Sequence, residues 1–191
     1  EALVGRLTIV KRLMRLDEPV LLLGEHGVGK RRLALALHRL SHRRDGPLLV
    51  INCARNDPVD MELELFGRER EGETPARPGK IERLKGGTIV LEDVEALSPR
   101  LQARFLQLLS EGTVERSGGG APRLSDVRVI ACATERLQQA VKDHGFRTDL
   151  FYRLSMFPVP LPPLRERRDE LPRLIRHFTE HFARRYDRKI L

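Results

Sequence analysis

Residues 24–30 read Gly-Glu-His-Gly-Val-Gly-Lys, with the apolar run PVLLL (19–23) before them and RRLALALHRL (31–40) after. A chain can do few things with such a junction. The glycines remove side chains where the backbone must turn tightly, and the flanking runs read as a strand entering the turn and a helix leaving it. Successive backbone N–H groups then point into one concavity, at the positive end of a helix. Gly24, Glu25, His26, Gly27, Val28, Gly29, Lys30 and Arg31 are therefore candidate contacts for a phosphate chain, with Lys30 reaching its terminal groups. His26 fills a variable slot and reads as an exposed loop residue. Position 31 departs from the usual pattern: a hydroxyl there ligates Mg²⁺, and arginine cannot.

Four further apolar runs follow, PLLVIN (47–52), GTIVL (87–91), DVRVIA (126–131) and SMFPVPL (155–161). Most are rich in Val, Ile and Leu without polar alternation. That fits strands covered on both faces, in a mostly parallel sheet of an α/β fold. Helical segments lie between them. SPRLQARFLQLLSEG (98–112) offers Ser98 as N-cap, Pro99 at the first helical position, Leu101, Phe105 and Leu108 on one face, and Gly112 as its stop. Near the end, Leu171, Leu174, Ile175, Phe178 and Phe182 follow helical spacing. These stripes read as ordinary core faces. REREGETPARPGK (68–80) and RSGGGAPR (116–123) read as solvent-facing loops, and LPPLRERRDE (161–170) as a linker into the last helix.

The 191 residues leave room for one full α/β domain and a fragment of a second. The chain starts at Glu1 and is expected to be a segment of a longer protein. Its 40% hydrophobic and 32% charged residues suit a soluble globular fold. No apolar run approaches the ~20 residues that cross a bilayer, so a cytoplasmic location without a membrane partner is expected. Cys53 and Cys132 lack metal-site spacing and read as buried small residues. The net charge is +8, and of 35 basic residues only six are lysine. Such a surplus attracts polyanions, but no DNA-recognition motif accompanies it. Direct nucleic-acid binding therefore stays a third reading, marked by affinity that falls steeply with salt.

IVLEDV (89–94) places Glu92 and Asp93 just beyond an apolar strand. Beside a phosphate loop, acids at such a strand end hold Mg²⁺ and polarise an attacking water. The plainer reading is an acidic pair that closes a strand; the loop upstream favours the first.

At this point the order of the pieces resembles the AAA+ domain of bacterial enhancer-binding proteins, the sigma-54-dependent transcription activators, over nearly the whole chain. GEHGVGKR is similar to that family's GESGTGKE, which also lacks a hydroxyl after the lysine. INCA (51–54), ELFG (64–67), GGTIVLEDV, DVRVIACAT, FRTDLFYRL and LPPLRERRDELP strengthen the likeness. The resemblance implies a P-loop NTPase three-layer sandwich over residues 1–164 with strands in the order fifth, first, fourth, third, second. It implies the start of a helical lid over 165–191. Leu3, Val4 and Gly5 would border the adenine of ATP. Glu92 would be the Mg²⁺-associated acid and Asp93 the water-activating one, with Asn52 holding that acid switched off. Thr134 would be the first sensor, although the family's preceding Thr is Ala133 here. Arg147 and Arg153 would reach into a neighbouring subunit's ATP site, which implies a ring of hexamer-like size. RNA polymerase or other transcription machinery would be the partner, with DNA contacted through a domain outside this chain.

Two departures shape the expectation. The family's Asp-Glu pair is reversed to Glu92-Asp93, so the presumed base is one methylene shorter. A retraction of roughly 1 Å costs on the order of 100-fold in rate. The family's GAFTGA loop tip, which engages sigma-54, is replaced by the shorter and charged REREGETPARPGK. The implied function is an ATP-binding, slowly hydrolysing, ring-forming module of a transcription regulator, other than a standard sigma-54 activator. The alternative is a nucleotide-responsive oligomerisation module with negligible hydrolysis, and whether the chain is an enzyme stays open between them.

Overall fold

Five strands build one sheet in the computed structural model, which describes residues 13–72 and 74–187. They are β1 (Val20–Leu23), β2 (Leu48–Asn52), β3 (Gly87–Glu92), β4 (Val127–Ala133) and β5 (Phe157–Pro160). Their spatial order is β5-β1-β4-β3-β2, as expected, and every pairing is parallel. The helices are α1 (Lys30–Arg39), α2 (Pro58–Phe66), α3 (Lys80–Arg83), α4 (Pro99–Glu111), α5 (Arg136–Lys142), α6 (Thr148–Leu154) and α7 (Leu171–Arg185).

The unbroken apolar runs have a simple cause. Alternate residues of β1, β2, β3 and β4 enter different cores, one on each side of the sheet, whereas β5 at the edge serves the smaller core alone. Ile89 and Leu91 of β3 join Val129 and Ala131 of β4 and Leu21 of β1 in the larger core. Val90, Ile130, Val20 and Leu22 join the smaller one. Helix α1 covers the smaller core with Ala34 and Leu37. The larger core is closed by α2, α4, α5 and α6, with Phe66 edge-on to Phe105 at 5.6 Å. The ends of α4 follow their local signals: Ser98 accepts from the Leu101 N–H, Pro99 opens the helix and Gly112 closes it in a left-handed conformation. Among the described residues, no helix is long and apolar enough to cross a membrane.

Two expectations are corrected. The apolar stripe of α7 is not a core face: Ile175 is 64% exposed, Phe178 39% and Phe182 42%. Spacing shows which residues share a face, not whether a layer lies over it. Here Phe178, Phe182 and Tyr186 stack on one another along the helix, and Arg32 of α1 lies 4.9 Å above the Phe178 ring. The segment 68–80 is not a plain loop either. Its base is an antiparallel ladder pairing Gly67 with Pro78 and Arg68 with Arg77, and Glu71 and Thr74 exchange backbone hydrogen bonds. The second charged loop is tied to it, as Glu69 and Ser117 share a backbone bond of 2.9 Å and Arg123 pairs with Glu69 at 2.6 Å.

One buried polar side chain joins the large core to the start of α6. Gln102 is 1% exposed. Its amide nitrogen donates to the Leu97 and Gly145 carbonyls, and its oxygen accepts from the Arg147 N–H at 2.8 Å. Gln102→Leu keeps the volume and strips three backbone groups of their partner. We expect a loss of about 3 kcal/mol, read as a lower urea midpoint with an unchanged m-value.

Candidate nucleotide-binding site

Parallel pairing brings the carboxyl ends of β1, β2, β3 and β4 to one edge, where ligands of such sheets bind. Leu23 stands beside Ala133, and Asn52 beside Glu92. The loop after β1 starts there, with the Gly24 N–H donating to the Ala133 carbonyl. Gly27 (φ 83°) and Gly29 (φ 101°) take left-handed conformations that a side chain would strain. Nothing lies within 4 Å of where their Cβ atoms would be, so backbone conformation rather than crowding calls for glycine there. Gly29 leads directly into α1. The Lys30 ammonium, nearly buried, donates to the Gly24 and Glu25 carbonyls at 2.6 and 2.9 Å and so folds over its own loop. Val28 is buried, whereas Glu25 and His26 are exposed.

The acids stand across from this loop. Glu92, the last residue of β3, accepts a hydrogen bond from Arg31 Nη1 at 3.1 Å. Asp93 has φ 53° and ψ 50°, a left-handed conformation outside glycine. Its Oδ2 accepts from Asn52 Nδ2 at 2.8 Å, while Asn52 Oδ1 accepts from the Ala54 N–H. His26 Nδ1 approaches the other oxygen of Asp93 to 3.8 Å. The sequence expects a Mg²⁺ ion between Glu92 and Asp93, and the donor set seen here does not fit one. A guanidinium already covers Glu92, an amide holds Asp93, and no hydroxyl follows Lys30. Among the described residues, no cluster of three or more His, Cys, Asp or Glu side chains could hold a metal.

Thr134 is buried just past β4. Its hydroxyl donates to Glu95 Oε1 at 2.6 Å, and its N–H donates to the same oxygen at 3.0 Å. Sequence reasoning missed Glu95, although it sits two residues beyond Asp93, within one turn of the acidic pair. The other oxygen of Glu95 is buried without a hydrogen-bond partner. Cys53 and Cys132 are both buried, as expected. Burial first, then the nearby carboxylates, pushes each thiol up to about 12, so neither is a nucleophile at neutral pH.

Two arginines of the linker, also missed, grip the loop from outside. Arg165 pairs with Glu25 through two bonds of 2.9 and 2.6 Å, and this holds the Glu25 carboxyl below the usual carboxylate range. Arg167 Nη2 donates to the Val28 carbonyl at 2.7 Å. A run such as RERR marks charge but not its partners, so no local signal could have assigned these contacts.

Arg147 and Arg153 stand apart from this group. Arg147 precedes α6, is exposed, and pairs with Asp149 at 3.0 and 2.8 Å. Arg153 lines a groove of about 410 Å³ between α4 and α6, together with Leu106, Glu111 and Asp149. Among the described residues, neither bonds to the phosphate loop. Leu3, Val4 and Gly5 lie outside the described residues.

Comparison with known proteins agrees with this geometry. Residues 1–160 match the profile of the Sigma-54 interaction domain. The phenol regulator MopR of Acinetobacter guillouiae is 49% identical over 174 residues, 90% of this chain and 31% of that protein. The transcriptional regulatory protein XylR of Pseudomonas putida is 47% identical over 175 residues, again 90% of this chain and 31% of that protein. The chain thus spans about a third of the length of these relatives. The crystal structure of NtrX from Brucella abortus in complex with ADP has a TM-score of 0.89 at 32% identity, covering 98% of this chain and 42% of that one. A phosphate loop that opens the first helix, an acidic strand end beside it and a profile match over most of the sequence lead to one conclusion: this chain belongs to the Sigma-54 interaction domain family and carries its AAA+ P-loop fold.

Proposed function

We propose that this domain binds ATP in the loop 24–31 and hydrolyses it slowly, as a ring-forming module of a bacterial transcription regulator. The observation that carries the proposal is the loop itself: an open turn of backbone, Lys30 at the helix start, and the Asn52–Asp93 pair at the neighbouring strand ends. The similar NtrX structure was solved with ADP, which supports a nucleotide in the same place.

The roles proposed for single residues rest on the family likeness. Backbone N–H groups of the turn and the Lys30 ammonium meet the phosphates. Asp93, once Asn52 releases it, accepts the proton of an attacking water. Its short side chain sets the carboxylate back, and an error of ~1 Å in such a contact slows the reaction on the order of 100-fold. Thr134 with Glu95 holds the end of β4 beside the loop. Leu3, Val4 and Gly5 border the adenine. Arg147, just before α6, and Arg153, on it, are both exposed and stabilise phosphoryl charge in the neighbouring subunit's site. The partner is RNA polymerase or other transcription machinery, with DNA held by a domain outside this chain and the whole acting in the cytoplasm. The charged hairpin at 67–78 carries no Phe-Thr pair, which supports a mode of action other than standard sigma-54 activation. One contact favours the alternative of a nucleotide-responsive assembly module with negligible hydrolysis: Asn52 already restrains Asp93 at 2.8 Å.

Lys30→Ala is expected to weaken ATP binding by about 100-fold or more, since it removes charge-assisted hydrogen bonds to phosphate. Calorimetric titration checks this, and unchanged affinity would remove the loop assignment. Arg147→Ala and Arg153→Ala are expected to lower turnover while ATP affinity stays within about threefold; equal rates in wild type and both variants would end the role in trans. Turnover of the full-length protein should climb more than linearly with its concentration. A flat, near-zero rate would select the assembly module instead.

A further inference from the structure

We propose that Arg31 is the built-in counter-cation of the phosphate chain, so that this loop takes nucleotide without a divalent ion. The inference rests on the ATP-binding reading above and adds what neutralises the bound phosphates.

Position 31 follows Lys30 in the first turn of α1, directly after the loop. In P-loop NTPases at large a hydroxyl at that position ligates the metal, whereas the family motif GESGTGKE has none there. The residue present carries a permanent positive charge instead. Its Nη1 reaches Glu92 at 3.1 Å and so sits on the acid that a metal would use. The two side chains are unequally covered: that of Glu92 is 16% exposed and that of Arg31 61%. The acid is thus shielded by the arginine, while most of the guanidinium stays open toward solvent. A guanidinium has five N–H donors in a planar fork. Among the described residues, Glu92 occupies one of them. The rest match phosphate oxygens in geometry and charge.

A divalent ion meets two obstacles here. It must displace a cation already paired with Glu92, and it must sit beside that cation against like-charge repulsion. Neither obstacle applies to a phosphate chain, which is attracted by Arg31 and Lys30 together. Glu92 fixes the arginine's direction and so limits the rotamer freedom lost when phosphate arrives. Arg31 is in this sense a specificity-determining residue, since it lets the loop take nucleotide without calling on the metal.

The test is a fluorescence titration of full-length protein with N-methylanthraniloyl-ADP, in EDTA and in Mg²⁺ at constant ionic strength. The wild type is expected to bind with affinities within about threefold of each other in the two buffers. Arg31→Ser supplies a hydroxyl and removes the charge; its affinity in EDTA should fall about tenfold, with most of the loss recovered in Mg²⁺. Wild-type affinity that drops tenfold or more in EDTA overturns the role of Arg31 and leaves the loop assignment standing. Equal dependence on Mg²⁺ in wild type and Arg31→Ser overturns it too. Absence of binding in both buffers overturns the loop assignment and this inference with it.

Discussion

Parallel strand pairing is the constraint from which the rest follows. When four neighbouring strands run the same way, their carboxyl ends share an edge, and residues far apart in sequence become neighbours there. Asn52 stands beside Glu92 because β2 and β3 pair in that register, and the loop after β1 opens beside Thr134 because β1 pairs with β4. A slip of one residue in either ladder would send the same side chains to opposite faces. The two cores, filled by alternate residues of these strands, make such a slip costly.

The edge is crowded with acids, and each has at least one hydrogen-bond donor against it. Glu92 faces Arg31, Asp93 takes the Asn52 amide, Glu95 takes the Thr134 hydroxyl and N–H, and Glu25 takes Arg165. The nearby Cys53 and Cys132 thiols register the sum of these acids, on top of burial, in their raised pKa. Half-buried carboxylates so close together would repel one another without such partners. Within the Arg31–Glu92 pair the base is the more exposed, at 61% against 16%.

Much of this was legible in the residues. The five strands came from apolar runs, because a strand buried on both faces has no polar alternation to hide it. The loop was legible because few residue types tolerate its turn. The ends of α4 followed from Ser98, Pro99 and Gly112. Asn52 and Thr134 were found only through resemblance, since a lone polar residue at a strand end carries no mark of its neighbour. Glu95, Gln102, Arg165 and Arg167 escaped because their roles lie in partners between five and about 140 positions away. The stripe of α7 misled for a related reason: periodicity describes one helix, whereas burial belongs to two.

The left-handed backbone at Asp93 restricts what that position can become. Such a conformation suits aspartate, asparagine and glycine and costs a longer side chain about 1 kcal/mol or more. Replacement by asparagine or glycine spares the architecture but removes the carboxylate; replacement by glutamate lengthens the reach of the acid at the expense of a stressed main chain. Drift at this residue is therefore steered toward short side chains that leave the main chain at the end of β3 relaxed.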